Sequence, residues 1–302
     1  MNRRDIDDIA RQHCAIIVPM IRAKTVQHGT ELMPPGRLHE FRKEVRGYYR
    51  KHGRDFPWRR TNNPYHVLVS EIMLQQTQTG RVIEKYERFL SEFPDFQTLA
   101  RAPLQRVLSI WQGLGYNRRA IALSSIARQV VAEFDGALPS SQDVLVKLPG
   151  IGKATASAIA AFAFNKPSLL IETNIRRVFI HFFFGDRETV ADAEILPLIA
   201  KTLDRSNPRR WYYALMDYGA MLKKNVRNPN RKSVHYRRQP PFEGSHRQVR
   251  GMVLKEIILG HRGTASSIAK ELDQSPEKIL EVLSELQREG FITKQKKRFV
   301  IP

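Results

Sequence analysis

Apolar residues that recur every three or four positions constrain the fold of this chain more than any other feature. In a helix this spacing places the apolar side chains on one face, which must be buried against neighbouring elements. The pattern runs through the strings YHVLVSEIMLQQ, RVIEKYERFLSEF, LQRVLSIWQGL, RAIALSSIARQVVAEF and ATASAIAAFAF. Short breakers such as EFPDF, GLGYN and DGALPSS separate these strings. The spacing therefore predicts an all-helical body over about residues 36–224.

The rest of the chain divides into three parts. Residues 1–35 form an N-terminal extension, and residues 225–250, rich in Arg, Asn and Pro, indicate a basic linker. Residues 251–302 contain the amphipathic strings MVLKEIILGH, ASSIAKEL and PEKILEVLSELQREG, followed by the alternating string FITKQKKRFVIP. Three helices before a two-stranded hairpin are typical of a small winged-helix-like (α+β) domain. A partner-binding module would share this pattern.

The charge of the chain points to a polyanionic partner. Fifty Lys and Arg against thirty Asp and Glu leave a formal charge of +20, so nucleic acid is the first interpretation. A membrane surface is the alternative, but no apolar run is long enough to span a bilayer. Cys14 is the single cysteine, which excludes internal disulfides and sites built from several thiolates. The charged N-terminal sequence does not resemble a signal peptide, so we expect a cytoplasmic protein.

The string LPGIG predicts a tight turn between two helices. Its glycines, Gly150 and Gly152, permit the turn, and the amides of Gly150, Gly152 and Lys153 come to lie at the start of the next helix. Such amides and the positive end of the helix dipole suit a phosphate, and Lys153 and Thr155 fit the same use. A plain helix–helix turn would carry the same letters. Phosphate binding and a structural turn both stay open at this point.

Three further strings accompany the hairpin, and they are FPWRRTNNPYHVLVSEIMLQQTQTGRVIEKYERF, IWQGLGYNRRAIAL and LLIETNIRRVF. Together the four motifs resemble the helix-hairpin-helix (HhH-GPD) superfamily of DNA glycosylases, and most closely its MutY-type adenine-DNA glycosylases. The resemblance covers about residues 41–223. It implies two all-helical subdomains, with the active site in the cleft between them. It also implies a nucleoid-associated protein, monomeric by default, that acts on double-stranded DNA containing a mismatched or damaged base.

Two carboxyl groups could divide the cleavage of an N-glycosidic bond between them. One would protonate the leaving base, while the other would stabilise an oxocarbenium-like sugar. Glu71 lies on an otherwise apolar helix, where partial desolvation should raise its pKa. A solvated ion pair at the helix boundary is the structural alternative. In the family that the sequence resembles, the Glu at this position protonates the adenine.

Glu172 is the second candidate carboxylate. It precedes TNIRRVF, so a helix N-terminus should keep it ionised, and a helix cap without catalytic work is the alternative. The resembling family has an aspartate here, which stabilises the positive charge at the sugar and helps to place water. Glutamate is longer by one methylene, and a misplacement near 1 Å can cost about a hundredfold in rate. Asn174 matches the family's asparagine and would be a polar partner in the site.

The resemblance also assigns DNA contacts. Gln75 and Gln76 match glutamines that fill the space left by an extruded base. Tyr116 matches the tyrosine that intercalates beside the mispaired purine, and a core aromatic is the alternative. Arg59 matches an active-site arginine, and the alternative is a phosphate clamp on the surface.

Some positions depart from the family pattern. Ala154 stands where strand-cutting relatives carry a Schiff-base lysine, so the comparison predicts a monofunctional enzyme without β-lyase activity. Lys223 replaces the first cysteine of the family's iron–sulfur loop, and the single cysteine excludes a cluster. We therefore predict no metal, apart from a monovalent cation that the hairpin could hold.

The C-terminal part departs as well. Most MutY-type enzymes end in a domain that recognises 8-oxoguanine, whereas this chain has the winged-helix-like tail. The tail helix PEKILEVLSELQREG is acidic and the wing TKQKKRF is basic, which favours contact between the wing and DNA phosphates. Recognition of 8-oxoguanine is correspondingly in doubt.

Three functional hypotheses follow from the sequence. The first is a monofunctional mismatch glycosylase that removes adenine from A·G or A·8-oxoguanine pairs. The second is a thymine or uracil glycosylase acting on T·G or U·G mismatches, because such relatives share the fold and the hairpin. The third is a non-catalytic protein that binds mismatched or damaged DNA, which the substitution at Glu172 would suit.

Overall fold

The computed structural model describes residues 35–260, 264–296 and 298–302. The N-terminal extension and Cys14 lie outside these residues. The helices of the body are α1 (Pro35–His52), α2 (Pro64–Leu74), α3 (Thr79–Glu92), α4 (Phe96–Arg101), α5 (Leu104–Trp111), α6 (Arg118–Glu133), α7 (Gln142–Leu145), α8 (Lys153–Phe162), α9 (Thr173–Phe183), α10 (Asp192–Thr202) and α11 (Pro208–Asn225). Two short 3₁₀ turns add Pro57–Arg59 and Pro229–Lys232. The predicted helical body is confirmed.

The helices of the body form two groups that face each other. Helices α2 to α8 pack around side chains such as Leu68, Phe89 and Trp111, which are almost completely buried. The N-terminal helix α1 joins the other group, where it packs against α11, and α11 packs against α9. Phe41 of α1 is central to this second core, with its ring centroid 5.3 Å from that of Phe179 and 5.8 Å from that of Trp211.

Polar caps and prolines define where the helices of the cleft begin. Asn63 caps α2 through its side-chain oxygen, which accepts a hydrogen bond from the Tyr65 amide at 2.9 Å. Asn207 caps α11 in the same way, accepting from the Arg210 amide at 3.1 Å. In both helices a proline occupies the first turn, where its missing N–H costs nothing. These local signals fix the register of the helices that carry the candidate site.

The first part of the predicted basic linker is packed against the body. Asn230 donates a hydrogen bond from Nδ2 to the carbonyl of Thr173 at 2.8 Å, and Asn228 accepts one from the Arg177 guanidinium at 3.1 Å. Val190 and Ser233 form an isolated parallel bridge. Polar side chains therefore hold this part of the chain at the start of α9, and Val226 and Pro229 also pack against the body.

A small C-terminal unit follows, and its first helix begins at residue 246, five residues before the predicted boundary at 251. It comprises α12 (His246–Ile258), α13 (Ala265–Glu271), α14 (Pro276–Arg288), β1 (Thr293–Gln295) and β2 (Arg298–Val300). The strands pair antiparallel, with Lys294 opposite Phe299. Buried residues including Val253, Ile279 and Leu286 form its core. None of the helices in the described ranges is long and apolar enough to cross a membrane.

Close packing between α9 and α11 gives a testable prediction. A Cβ atom at Gly219 would lie 2.8 Å from the carbonyl carbon of Asn174, and real Cβ atoms do not approach backbone so closely. We expect Gly219→Ala to reduce the free energy of unfolding by about 2 kcal/mol, as overpacking does. Gly47→Ala in α1 is the control, because nothing lies within 4 Å of its added Cβ. The control should be neutral or slightly stabilising in chemical denaturation, and equal losses in both variants would contradict the packing argument.

Candidate active site and nucleic-acid interface

The hairpin consists of α7, the turn over residues 146–152, and α8. Leu148 and Ile151 anchor the turn in the core, whereas Gly150, Gly152 and Lys153 are exposed. Gly150 has a φ of +72°, and an added Cβ would lie 2.9 Å from the Cβ of Ala122, so only glycine fits there. The first hydrogen bond of α8 is donated by Ala156 to Gly152, which leaves the preceding amides at the exposed end of the helix.

The backbone conformation and packing that require a glycine at position 150 are absent at Gly152. Its φ is −86°, which any residue adopts, and an added Cβ would meet no protein atom within 4 Å. Packing within the chain therefore gives no reason for a glycine at this position. A group that approaches the helix N-terminus from outside would gain from the missing side chain. The hairpin cation stays a prediction.

The two glutamines that follow α2 have different surroundings. Gln75 is half-buried and donates a hydrogen bond to the Thr155 hydroxyl at 3.2 Å, so it ties the end of α2 to the hairpin. Gln76 is exposed and has a φ of +54°, which turns the chain sharply at this point. Of the two, Gln76 is the exposed side chain. Gln75 and Thr155 instead join the end of α2 to the start of α8.

Tyr116 lies on the turn between α5 and α6, beside the glutamines. Its side chain is 40% exposed and its φ is +46°, so it is not the core aromatic of the alternative interpretation. Its hydroxyl accepts hydrogen bonds from Gln239, in the segment that leads into the C-terminal unit, and from Arg247 of α12. We refer to Gln76 and Tyr116 together as the wedge.

A buried arginine that the sequence analysis did not single out organises the wedge. Arg119 donates hydrogen bonds to the carbonyls of Met73 at 2.8 Å, Gln75 at 2.6 Å and Gly115 at 2.9 Å. Burial lowers its pKa to about 10, which still leaves the guanidinium charged at neutral pH. The single cation therefore satisfies the end of α2 and the turn that carries Tyr116.

Glu71 lies on the face of α2 that borders the cleft. Burial raises the pKa of its carboxyl to about 8, the negative charge of Glu172 adds to the increase, and Arg59 partly opposes it. Within the described part of the chain its carboxyl has no hydrogen-bond partner and no ion pair, so the solvated ion pair of the alternative interpretation does not form. The carboxyl is mostly protonated near neutral pH. Its proton is available to another group in the cleft.

Glu172 is the N-cap of α9. Its Oε1 accepts hydrogen bonds from the amides of Asn174 at 2.7 Å and Ile175 at 2.9 Å, and its Oε2 accepts one from Asn174 Nδ2 at 3.3 Å. Burial nevertheless raises the pKa of Glu172, although these bonds and the nearby Arg177 and Arg176 oppose the increase. The net direction is opposite to the one expected from a helix N-terminus alone. Burial depends on tertiary packing, which the sequence analysis did not include.

Arg59 is buried, so the surface-clamp alternative is wrong. Its two terminal nitrogens donate to both carboxylate oxygens of Asp217, at 2.8 Å and 2.9 Å. Arg54 also donates from Nε to Asp217, at 2.7 Å, and Asp217 itself is almost fully buried. Two arginines on one aspartate leave a net positive charge in this part of the cleft. Arg59 is thus positioned at the site, but its guanidinium is committed to Asp217 and not to a phosphate.

A cavity of about 680 Å³ opens beside this cluster. Arg59 lies over the ring of Tyr213, 4.4 Å from its centroid, and both line the cavity together with Asn62, Asn165 and Arg209. Burial raises the pKa of Tyr213, and the charge of Glu71 adds to the increase, so the phenol stays protonated near the carboxyl. An aromatic face and several cations therefore line one polar recess.

Asp217, Arg54 and Arg119 are the site residues that the sequence analysis missed. Asp217 interrupts the apolar helix string WYYALMDYGAML, the same signal that made Glu71 a candidate. Arg54 and Arg119 carry no comparable signal, since arginine is common along this chain. Across residues 35–260, 264–296 and 298–302, no three His, Cys, Asp or Glu side chains come together as a metal site.

The arrangement brings an exposed helix N-terminus, a polar wedge and two interacting carboxyl groups to one cleft. This fold and site define a helix-hairpin-helix protein whose hairpin suits a phosphate and whose cleft suits proton transfer. Residues 69–196 match the HhH-GPD superfamily base excision DNA repair protein family. The chain belongs to this family.

Individual relatives agree with this assignment. The adenine DNA glycosylase of Mycolicibacterium smegmatis is 34% identical over 230 residues, which cover 70% of this chain and 78% of that protein. The adenine DNA glycosylase of Buchnera aphidicola subsp. Baizongia pistaciae is 38% identical over 187 residues, 60% of this chain. The match spans 52% of the Buchnera protein and 38% of the adenine DNA glycosylase of Mus musculus. The thymine/uracil-DNA glycosylase of Methanothermobacter thermautotrophicus is 32% identical over 172 residues, which cover 56% of this chain and 78% of that protein.

Solved structures share the fold. A thermostable thymine-DNA glycosylase superposes with a TM-score of 0.55 and 26% identity, over 62% of this chain and 87% of that one. Endonuclease III in a trapped covalent intermediate with DNA superposes with a TM-score of 0.54 over 63% of this chain and 88% of that one. At 18% identity the second similarity concerns the fold alone.

The raised pKa of Glu71 predicts a pH-dependent effect on stability. The pKa of the Glu71 carboxyl is about 4.5 in the unfolded chain and about 8 in the folded protein. The free energy of unfolding therefore falls as the pH rises between these values. Glu71→Gln removes that loss. We expect the substitution to raise the free energy of unfolding by about 4 kcal/mol at pH 8 and by about 1 kcal/mol at pH 5. Denaturant unfolding at both pH values checks this, and an equal gain at both would contradict the burial of the charge.

Proposed function

We propose that this protein is a monofunctional DNA glycosylase of base excision repair, which hydrolyses the N-glycosidic bond of a mispaired base in double-stranded DNA. Adenine opposite guanine or 8-oxoguanine is the favoured substrate. The observation that carries the proposal is Glu71, a carboxyl protonated near neutral pH in a cleft with Glu172. The adenine DNA glycosylases among its relatives support the choice of base.

In the proposed reaction the hairpin holds a DNA phosphate at the N-terminus of α8, and the wedge fills the duplex where the base has left it. Glu71 donates its proton to a ring nitrogen of the extruded base. The bond between C1′ and that base then breaks, and the base keeps the electron pair. The oxocarbenium-like sugar lies beside Glu172, whose negative charge stabilises it. Water attacks C1′ and gives up a proton to the Glu71 carboxylate, which restores the acid, and the product is an abasic site.

Glu172 can support this role in spite of its extra methylene. Its Oε1 is engaged with the amides of its own helix, and its Oε2 has Asn174 Nδ2 as a weaker partner at 3.3 Å. The cap thus orients the carboxylate, and Oε2 is the oxygen with capacity left for the sugar or for water. Asn174 serves as the positioning residue in this arrangement. Ala154 at the position of the strand-cutting lysine supports hydrolysis without β-lyase activity.

Base release under single-turnover conditions tests the proposal. Duplexes with A·G, A·8-oxoguanine, T·G and U·G pairs are incubated with the protein, and abasic sites are revealed with alkali. We expect alkali-dependent cutting on the adenine strand and a rate that falls as the pH rises through about 8, where Glu71 loses its proton. Glu71→Gln should lower the rate by about 10²-fold or more without loss of duplex binding.

Glu84→Gln on the exposed face of α3 is the matched control, and it should keep the full rate. A Glu71→Gln protein that releases adenine at the control rate would overturn the proposal. Cutting without alkali would overturn the assignment as monofunctional.

A second candidate function is cleavage of thymine or uracil opposite guanine. The thymine/uracil-DNA glycosylase relative and the thymine-DNA glycosylase structure favour it. The same assay separates the two, because cutting at the T or U strand alone would replace adenine as the substrate. Binding to mismatched duplexes without release of any base would favour the non-catalytic interpretation.

The C-terminal unit has the element order of a winged-helix domain, and we propose that its strands act as a basic wing. Lys294, Lys296 and Arg298 are exposed on the two strands and the turn between them. Such cations would add phosphate contacts outside the cleft. In this role the C-terminal unit binds phosphates and need not recognise 8-oxoguanine.

The wing proposal predicts a change in salt dependence. Lys294→Ala/Lys296→Ala should weaken duplex binding and reduce the slope of log affinity against log salt by about 1 to 2. Lys255→Ala/Lys270→Ala removes the same charge from exposed positions on the helices of the same unit. Equal slopes for both variants would show that only net charge matters and would contradict the wing contact.

A further inference from the structure

A groove of about 500 Å³ separates the wedge from the C-terminal unit. Gln76, Tyr116 and Arg118 line one wall, and side chains of α12 and α14 line the other. The C-terminal unit also contacts α5, because the Gln105 side chain donates a hydrogen bond to the backbone carbonyl of Ile258 at 3.0 Å. The surface that would meet the duplex therefore faces the C-terminal unit.

Two carboxylates at the C-terminal end of α14 occupy this groove, Glu285 in the helix and Glu289 as its C-cap. Glu289 accepts from Arg118 Nε at 2.6 Å and from both terminal nitrogens of Arg250, at 2.5 Å and 2.8 Å. Glu285 lies 2.9 Å from His246 Nε2 and 3.2 Å from Arg250. The arginines hold the pKa of Glu289 down to about 2. The carboxylates are thus ionised and enclosed by cations.

One cation of this cluster, Arg118, is accessible, whereas Arg250 is only 22% exposed. The Arg118 side chain is 73% exposed, whereas that of Glu289 is 13% exposed. Two guanidinium groups around one planar anion form the fork geometry that also binds a phosphodiester. Arg118 is two residues from Tyr116 in the chain, so a phosphate bound there would belong to the DNA next to the wedge.

We propose that Arg118 and Arg250 form a binding site for a backbone phosphate of the duplex, and that Glu285 and Glu289 occupy this site when DNA is absent. The inference rests on the proposed DNA glycosylase function, because the wedge places the duplex. When DNA binds, the arginines exchange a carboxylate for a phosphate, and α14 must withdraw because its carboxylates repel the duplex. The C-terminal unit thereby competes with DNA for the surface beside the wedge.

The other acidic residues of α14 provide a comparison within the same helix. Glu277 and Glu281 are exposed and lie outside the groove. If negative charge in general weakens DNA binding, all four glutamates should lower the affinity for the duplex. If carboxylates occupy a phosphate site, only Glu285 and Glu289 should lower it.

The experiment measures the affinity of the full chain for a short undamaged duplex by fluorescence anisotropy. Glu285→Gln/Glu289→Gln should raise the affinity about fivefold or more above that of Glu277→Gln/Glu281→Gln, which changes the charge equally. Arg118→Gln added to the first pair should abolish the gain. Arg128→Gln, an exposed change on the same helix α6, should leave it intact.

Equal affinities for the two glutamine pairs, or a gain that survives Arg118→Gln, would overturn the inference. If the double variant melts early, Glu289→Gln alone provides the same comparison with the Arg250–Glu285 pair intact, against Glu281→Gln as its control. The undamaged duplex keeps this test separate from the reaction. A protein that releases no base can still show the gain, and a protein that releases adenine normally can fail to show it.

Discussion

The arrangement of the wedge and of the end of α2 depends on the buried guanidinium of Arg119. The last carbonyls of a helix have no partners within the helix, and after α2 the following chain supplies the Thr77 amide to the Leu74 carbonyl at 3.3 Å. Arg119 satisfies the carbonyls of Met73 and Gln75 and also that of Gly115 on the neighbouring turn. The end of the helix that bears Glu71 and the turn that bears Tyr116 are thereby fixed to one rigid group. A lysine could not replace it, because a single ammonium lacks the fork that reaches both segments.

Within the described ranges, the site contains one buried carboxylate, Asp217, that is paired with cations, and one buried carboxyl group, Glu71, that is not. Asp217 is matched by Arg54 and Arg59, which stabilises both elements that carry them. Glu71 has no such partner, and burial together with Glu172 keeps it protonated. An unpartnered carboxyl destabilises the fold at neutral pH, since the unfolded chain would ionise it freely. Proteins retain such groups where a function requires a proton at a defined place.

The sequence predicts local structure better than it predicts electrostatics. The helices follow from apolar spacing, and the caps Asn63 and Asn207 follow from their residue types. The approach of Glu71 to Glu172 rests on resemblance to a known family, because no periodic signal links residues so far apart. The raised pKa of Glu172 was missed, since burial of an N-cap depends on packing from other helices. The packing of Asn228 and Asn230 was also missed, because hydropathy does not reveal hydrogen bonds of amide side chains.

The segment after Lys223 shows how polar bonds connect a surface region to the site. Asn228 holds the guanidinium of Arg177, and Arg177 donates to Asn174 Oδ1 at 2.7 Å and to the Gly219 carbonyl at 2.7 Å. Asn174 in turn donates to Glu172. The connection runs through hydrogen bonds between protein groups. The position of the Glu172 carboxylate is therefore coupled to a part of the chain that the composition alone describes as a linker.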